Sequence, residues 1–175
     1  MAINVKHQKK TAKAGQVNVS SDYLLDEEGR FHVRDYDRKP AFASFLHGIG
    51  GPEGVPLWCL YVNRGQAVSS FGIANKDNAV VEFLPANWAY QLTPIQGFRT
   101  FCKIDGRYYE PFQNDSASKD YQLQRDLLVE MDRLIIQEEN QTLGLRFEVL
   151  YFSPVNKPVG SLIRILNITN LSSQS

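Results

Sequence analysis

Two segments, LRFEVLYFSPV at 145–155 and SLIRILNITNLS at 161–172, alternate inward and outward side chains and fill the apolar places with β-branched or aromatic residues. A period of two sends successive side chains to opposite faces of an extended strand. The pair, joined across Asn156-Lys157-Pro158, therefore requires a sheet with one face turned to a core. Nothing in the residues after Asn170 reads as an element that covers the last strand. Its open edge is expected to need an arm of the chain or a partner, as in a domain cut from a longer polypeptide.

At 175 residues the chain suits one domain that buries roughly two-thirds of its unfolded surface. Nineteen basic and nineteen acidic residues cancel, which argues against sequence-independent binding of nucleic acid. No apolar run approaches the ~20 residues of a membrane-spanning helix, and the N-terminus MAINVKHQKKTAKAG lacks the apolar region of a signal peptide. The chain reads as cytoplasmic, with no membrane partner. Residues 1–20 are Lys-rich and aperiodic, a flexible or edge-covering segment, and 21–175 form the domain. Cys59 and Cys102 lie in apolar runs and are expected as reduced, packed thiols. His7, His32 and His47 are scattered, so neither metal nor other cofactor is expected. The N-x-S/T triplets at Asn18, Asn114, Asn140, Asn167 and Asn170 carry meaning only in a secreted chain.

Asp22 to Lys39 reads as a hairpin arm turning at Glu27-Glu28-Gly29. From Pro40 to Pro56 four glycines and two further prolines follow a short aromatic run, which speaks against a regular element. Gly48-x-Gly50-Gly51 superficially resembles a phosphate-cradling loop. Neither a Lys-Ser/Thr pair nor a helical pattern follows it, so the structural reading is preferred.

Three apolar runs, Leu57 to Asn63, Ala67 to Ile73 and Phe98 to Ile104, end at Gly, Asn or Asp in the manner of strands joined by short turns. In the first connection, Asn63 and Gly65 are expected to supply left-handed backbone while Arg64 and Gln66 project outward. Asn75-Lys76-Asp77-Asn78 repeats that logic as a second solvated turn. Glu82 to Gln91 leads an acidic strand into an aromatic, amide-rich loop closed by Pro94 and Gly97. Asn63, Arg64, Gln66, Trp88, Tyr90, Gln91 and Arg99 are the candidate substrate-binding or domain-interface residues. A sugar ring stacks its C–H face on Trp or Tyr and pairs its hydroxyls with amides and charged forks, although the same mixture builds protein interfaces.

Between Tyr121 and Gln137 the residues support two readings. Leu123, Leu127, Leu128, Met131, Leu134 and Ile135 fall at helical spacing after Ser118-Lys119-Asp120, a possible cap. A hairpin whose first strand lies near 128–138, turning at Asn140 to Gly144, competes with it.

The ordered blocks NRGQ, NKDN, EF-PAN-AYQ, GFRTF and YFSP-NKP-LIRI-N-TN, spread over Phe42 to Ser172, resemble the N-terminal β-sandwich region of bacterial glycoside phosphorylases of the cellobiose phosphorylase type. Within that group they are most similar to members acting on β-1,2-linked oligoglucosides. The resemblance implies a mainly β fold, an antiparallel β super-sandwich of galactose-mutarotase-like type with at most short helices, of which this chain is part. It turns the open segment toward strand from about Leu127. It also implies a parent enzyme that cleaves a β-linked oligosaccharide with phosphate. The proton-donating acid and the phosphate pocket then belong to a helical barrel outside this chain. Catalytic residues are accordingly expected to be none here, and Asp77, Glu82, Asp105 and Glu110 read as turn, pairing or interface groups. Glu82, flanked by apolar residues, is the one that partial burial could shift. The implied partners are the barrel domain or a second subunit.

Overall fold

The computed structural model describes residues 22–46, 50–113 and 117–172. The expected flexible segment 1–20, Gly48 of the glycine loop, His7, His47 and the triplets at Asn18 and Asn114 lie outside them wholly or in part. The fold is mainly β, built from antiparallel sheets with a single α-helix among the described residues. Six strands form the larger sheet: β1 (Tyr23–Leu25), β2 (Phe31–Arg34), β9 (Leu123–Val129), β10 (Arg133–Asn140), β11 (Leu145–Phe152) and β12 (Ile163–Asn170), adjacent in that order. Four strands form the smaller one, in chain order: β3 (Ala43–Phe45), β4 (Leu57–Val62), β5 (Val68–Ile73) and β6 (Ala79–Val81). A two-stranded ribbon, β7 (Cys102–Ile104) and β8 (Arg107–Tyr109), stands apart from both.

One core joins the two sheets. Val33, Leu127, Leu134, Ile136, Phe147, Val149 and Tyr151 of the larger sheet cluster with Cys59, Tyr61 and Val68 of the smaller. Phe98 bridges them, stacking on Phe71 at 6.1 Å and tilting against Tyr151 at 5.9 Å. Only Cys102–Ile104 of the expected third apolar strand is a strand, because Phe98 serves as this bridge and leaves no regular ladder around it. The short aromatic run after Pro40 does form β3, paired with β4; the breakers act only beyond it.

The first arm is a hairpin, as its sequence requires. Asp26 Oδ1 accepts from the backbone N–H of Glu28 and Arg30, and Gly29 takes the positive φ of 80°. Downstream, the helical reading of 121–137 gives way to two strands with a turn at Glu130-Met131-Asp132, where Glu130 N donates to Arg133 O at 3.0 Å. The apparent helical spacing has a plain cause. Strand β9 buries Leu127 and Leu128 on opposite faces, and the exposed Met131 sits in the turn. The strand thus begins at Leu123, earlier than the resemblance placed it, and the turn interrupts the expected 128–138 strand.

The aromatic loop expected after Glu82 is instead helix α1 (Ala86–Gln96). Pro85 occupies its N-cap and accepts from Trp88 and Ala89 N–H, while Gly97 closes its last turn by donating to Thr93 O at 3.2 Å. Pro85 and Gly97 cap the helix, and Pro94, expected to close a loop, lies within its last turn. Ala89 and Thr93, four residues apart, face the protein, and the helix packs on β4 and β5. No helix among the described residues is long and apolar enough to cross a membrane.

The glycine loop is structural. A Cβ on Gly50 would stand 2.7 Å from Val55 O, and Gly50 O accepts from Asn156 N at 2.8 Å, tying the loop to the turn before β12.

Candidate functional site

The turn Asn63–Gln66 is buried where a solvated turn was expected. The Asn63 amide donates to Tyr36 O at 2.9 Å and Pro40 O at 3.0 Å, and its oxygen accepts from Phe42 N at 2.9 Å. Arg64 reinforces the clamp by donating to Lys39 O at 3.1 Å and to Asn63 O at 2.6 Å. The Tyr36 hydroxyl donates to Gly65 O from the other side. Left-handed backbone falls to Gly65 and Ala67, at φ 52° and 66°, and not to Asn63. Space decides the glycine as well, since a Cβ there would lie 2.9 Å from Pro94 Cα of α1. Arg64 and Gln66 therefore do not project outward: together with Asn63 they hold the 36–42 segment and the sheets in place.

Gln66 reaches across to β12. Its Oε1 accepts from Thr100 Oγ1 at 3.2 Å and from the Arg164 guanidinium, which also donates to Thr100 Oγ1. Arg164 Nε adds a 3.4 Å bond to the Tyr151 hydroxyl. This polar bridge fastens the smaller sheet's turn to the last strand of the larger sheet.

Trp88, Tyr90 and Gln91 lie on α1, apart from that turn. Trp88 is 58% exposed and Tyr90 is half-buried. Two helical residues differ in direction by roughly 200°, so the two rings do not form one platform. Gln91 faces solvent. Arg99 grips Glu110 through two bonds of 2.5 Å and lies over the Phe101 ring at 4.8 Å. Glu110 outweighs partial burial and holds that guanidinium above its ordinary value. Asp77, Glu82 and Asp105 are exposed, so the partial burial considered for Glu82 does not occur.

A buried ionic cluster, unforeseen in the sequence reading, lies at one end of the larger sheet. Glu138 is fully buried on β10 directly opposite Arg125 on β9. Arg125 Nε donates to Glu138 Oε2 at 2.6 Å, one terminal nitrogen donates to Asp37 at 2.8 Å, and the other donates to Gln113 O at 2.5 Å. Phe112 N at 2.7 Å and the Tyr109 hydroxyl complete the shell of Glu138. Burial works to lower the Arg125 guanidinium, but Glu138 and Asp37 overcome it and hold the group above an exposed arginine. Burial first, and the Glu138 charge second, push the Tyr109 hydroxyl well above its ordinary value. The signal was present in the parity of Leu134, Ile136, Glu138 and Asn140, which puts a carboxylate on the apolar side of a strand and demands a cation opposite.

The cluster floors a cleft centred on Tyr121. One hollow of about 260 Å³ is lined by Asp35, Asp37, Arg38, Lys119 and Arg125. A second of about 230 Å³ adds Phe101, Tyr108 and Glu110. Tyr121 meets Tyr109 edge-on at 5.1 Å, and Tyr109 leans on Phe147 at 5.6 Å, which fixes the aromatic wall to the core. Tyr108, 80% exposed, offers its ring to solvent from β8. Of the sequence candidates only Arg99 belongs here, through Glu110 and Phe101. Paired charges beside exposed aromatic rings, of which Arg99 covers one face of Phe101 and Lys103 stands 6.0 Å over Tyr108, suit a polyhydroxylated ligand.

Both cysteines are free. Burial pushes the Cys59 thiol up to about 12 and also raises Cys102. Cys59 stays protonated in the fold while an unfolded thiol ionises near 9, so its contribution is complete below that pH and fades as pH climbs towards about 12. At pH 8 a thiol reagent is expected to label Cys102 first and Cys59 only upon unfolding. Equal labelling rates in the native protein would contradict the burial of Cys59. Among the described residues no cluster of three His, Cys, Asp or Glu side chains is arranged to hold a metal.

No family model matches the chain, and no curated protein matches it significantly.

Proposed function

We propose that this chain is the non-catalytic β-sandwich domain of a cytoplasmic carbohydrate-active enzyme that cleaves β-glucosides with phosphate, and that its Tyr121 cleft helps wall the site where the oligosaccharide lies. The observation that carries the reading is the cleft itself, with Phe101 and Tyr108 exposed beside the Arg99–Glu110 pair and the Arg125 cluster. A proton-donating acid must present a free carboxyl group to the leaving oxygen. Glu138 is wrapped by three donors, and Glu110 by Arg99 and Gln113. Both are held by donors and read as structural, and the family resemblance implies that the acid comes from the helical barrel of the parent protein. The outward face of α1, where Trp88 and Ile95 are about equally exposed and seven residues apart, supplies apolar area for docking on that barrel.

The polypeptide that carries this domain together with a helical barrel is expected to release glucose 1-phosphate from a β-linked oligoglucoside and phosphate. The 175-residue chain alone is expected to release none. In the larger protein Tyr108→Ala should raise KM roughly tenfold, the loss of one stacked ring, with little change in stability. Turnover by the chain alone, or unaltered kinetics of the variant, would overturn the reading.

The exposure of Trp88 favours a second reading, a free-standing carbohydrate-binding module. That reading requires calorimetric binding of a β-glucan by the chain alone, abolished by Trp88→Ala and indifferent to Tyr108→Ala.

A further inference from the structure

Strand β12 has the side chains of an interior strand in the place of an edge strand. Its register on β11 runs through eight uninterrupted pairs, from Leu145↔Asn170 to Phe152↔Ile163. Leu166 lies opposite Val149 and Ile168 opposite Phe147, both buried, so these two belong to the core face. Yet Ile168 is 52% exposed, and on the other face Ile165 is 40% exposed. Natural edges are blunted by charges, prolines or bulges. Here the single charge is Arg164, and its guanidinium is already engaged by Gln66, Thr100 and Tyr151.

The ladder also fixes which backbone groups are open. Leu171 N donates to Gly144 O at 2.7 Å, one step beyond the Leu145↔Asn170 pair. In an antiparallel ladder the bonded pairs alternate, so Ile165, Asn167 and Thr169 turn their backbone toward β11. Leu166 and Ile168 turn theirs outward, where no strand among the described residues pairs with β12.

We propose that β12 pairs antiparallel with β12 of a second copy of this chain, about a two-fold axis at Asn167, giving one continuous sheet of twelve strands. The strand is complementary to itself in that register. Leu166 bonds opposite Ile168 of the second copy and Ile168 opposite its Leu166, so each exposed core-face isoleucine gains an apolar cross-strand neighbour. The two Asn167 side chains, each donating to Glu148 of its own β11 at 3.3 Å, stand opposite one another in the closer, non-bonded pair, and Glu148 adds its negative charge to that of an Asp at 167. The two Arg164 side chains stand roughly 20 Å apart, beyond the screening length of about 8–10 Å, so like charges do not oppose the pairing. An isologous contact of this kind closes as a dimer and leaves no edge to propagate from β12. The proposal does not depend on the carbohydrate reading. A single strand pair lies at the small end of stable interfaces, below about 1,200 Å², which predicts micromolar association.

Sedimentation equilibrium of the whole chain from about 1 to 100 μM, the range bracketing such an affinity, is expected to show a monomer–dimer transition. Asn167→Asp places two carboxylates face to face and should weaken the dimer about tenfold or more. Asn167→Lys should do the same, and an equimolar mixture of the two should restore association as a heterodimer. Ile168→Pro, which removes an outward N–H and leaves the β11 ladder intact, should abolish it, with circular dichroism confirming the fold of each variant. A chain that stays monomeric throughout that range overturns the proposal, as does a dimer indifferent to Asn167→Asp or one that the mixed variants fail to restore.

Discussion

Arg125→Met is expected to lower the stability of the fold by about 3–5 kcal/mol, the usual penalty for removing one partner of a buried ion pair. In equilibrium unfolding this is a midpoint shift on the order of 2 M urea. Among the described residues Arg125 is the only cation paired with both Asp37 and Glu138, and all three side chains are buried. Without it two carboxylates remain in the core, one of them still in contact with the Tyr109 hydroxyl and Phe112 N. Glu138→Gln should be milder, because the amide oxygen retains an acceptor while the charge disappears. Arg125→Met combined with Glu138→Leu should lose less than the two single changes added together, since an apolar pair removes both charges at once. An unshifted midpoint for Arg125→Met would mean that the cluster is open to water in solution.

Asn63→Ala should be nearly as damaging, by about 3 kcal/mol, or a fall of roughly 10 °C in Tm for a chain of this size. The side chain is fully buried, and its loss strands the carbonyls of Tyr36 and Pro40 and the N–H of Phe42. Asn63→Asp separates this mechanism from simple loss of volume. A carboxylate keeps the acceptor for Phe42 N but turns an oxygen toward two carbonyls, so at neutral pH it should be at least as destabilising as alanine. If Asp were tolerated and Ala were not, the donor role of Asn63 would be wrong.

These two sites illustrate what the residues disclosed and what they withheld. Strands β11 and β12 and their pairing were legible, because alternation over eight residues specifies a strand and its buried face together, whereas β10 stood as only one of two readings of its segment. Asn63 to Gln66 had the composition of a turn and is one. Composition does not distinguish a solvated turn from one that 36–42 folds over, since that segment arrives from elsewhere in the chain. Helix α1 was hidden by Pro85, Pro94 and Gly97, which punctuate a helix and a loop alike. The aromatic wall of the cleft was hidden for another reason: Phe101, Tyr108 and Tyr121 converge only after the ribbon and β9 are assembled, and no local spacing records that convergence.

The pairing of β2 with β9 also has a consequence during synthesis. Val33 finds its place beside Leu127 only after roughly 90 further residues have been added, which at ribosomal speed takes about 5–20 s. Through that interval the first arm has no neighbour on its inner edge, and the larger sheet closes only after the residues of β9 have been made. Such non-local closure makes folding slow, and a nascent chain held at that stage is a natural client for a chaperone that shields unpaired strands.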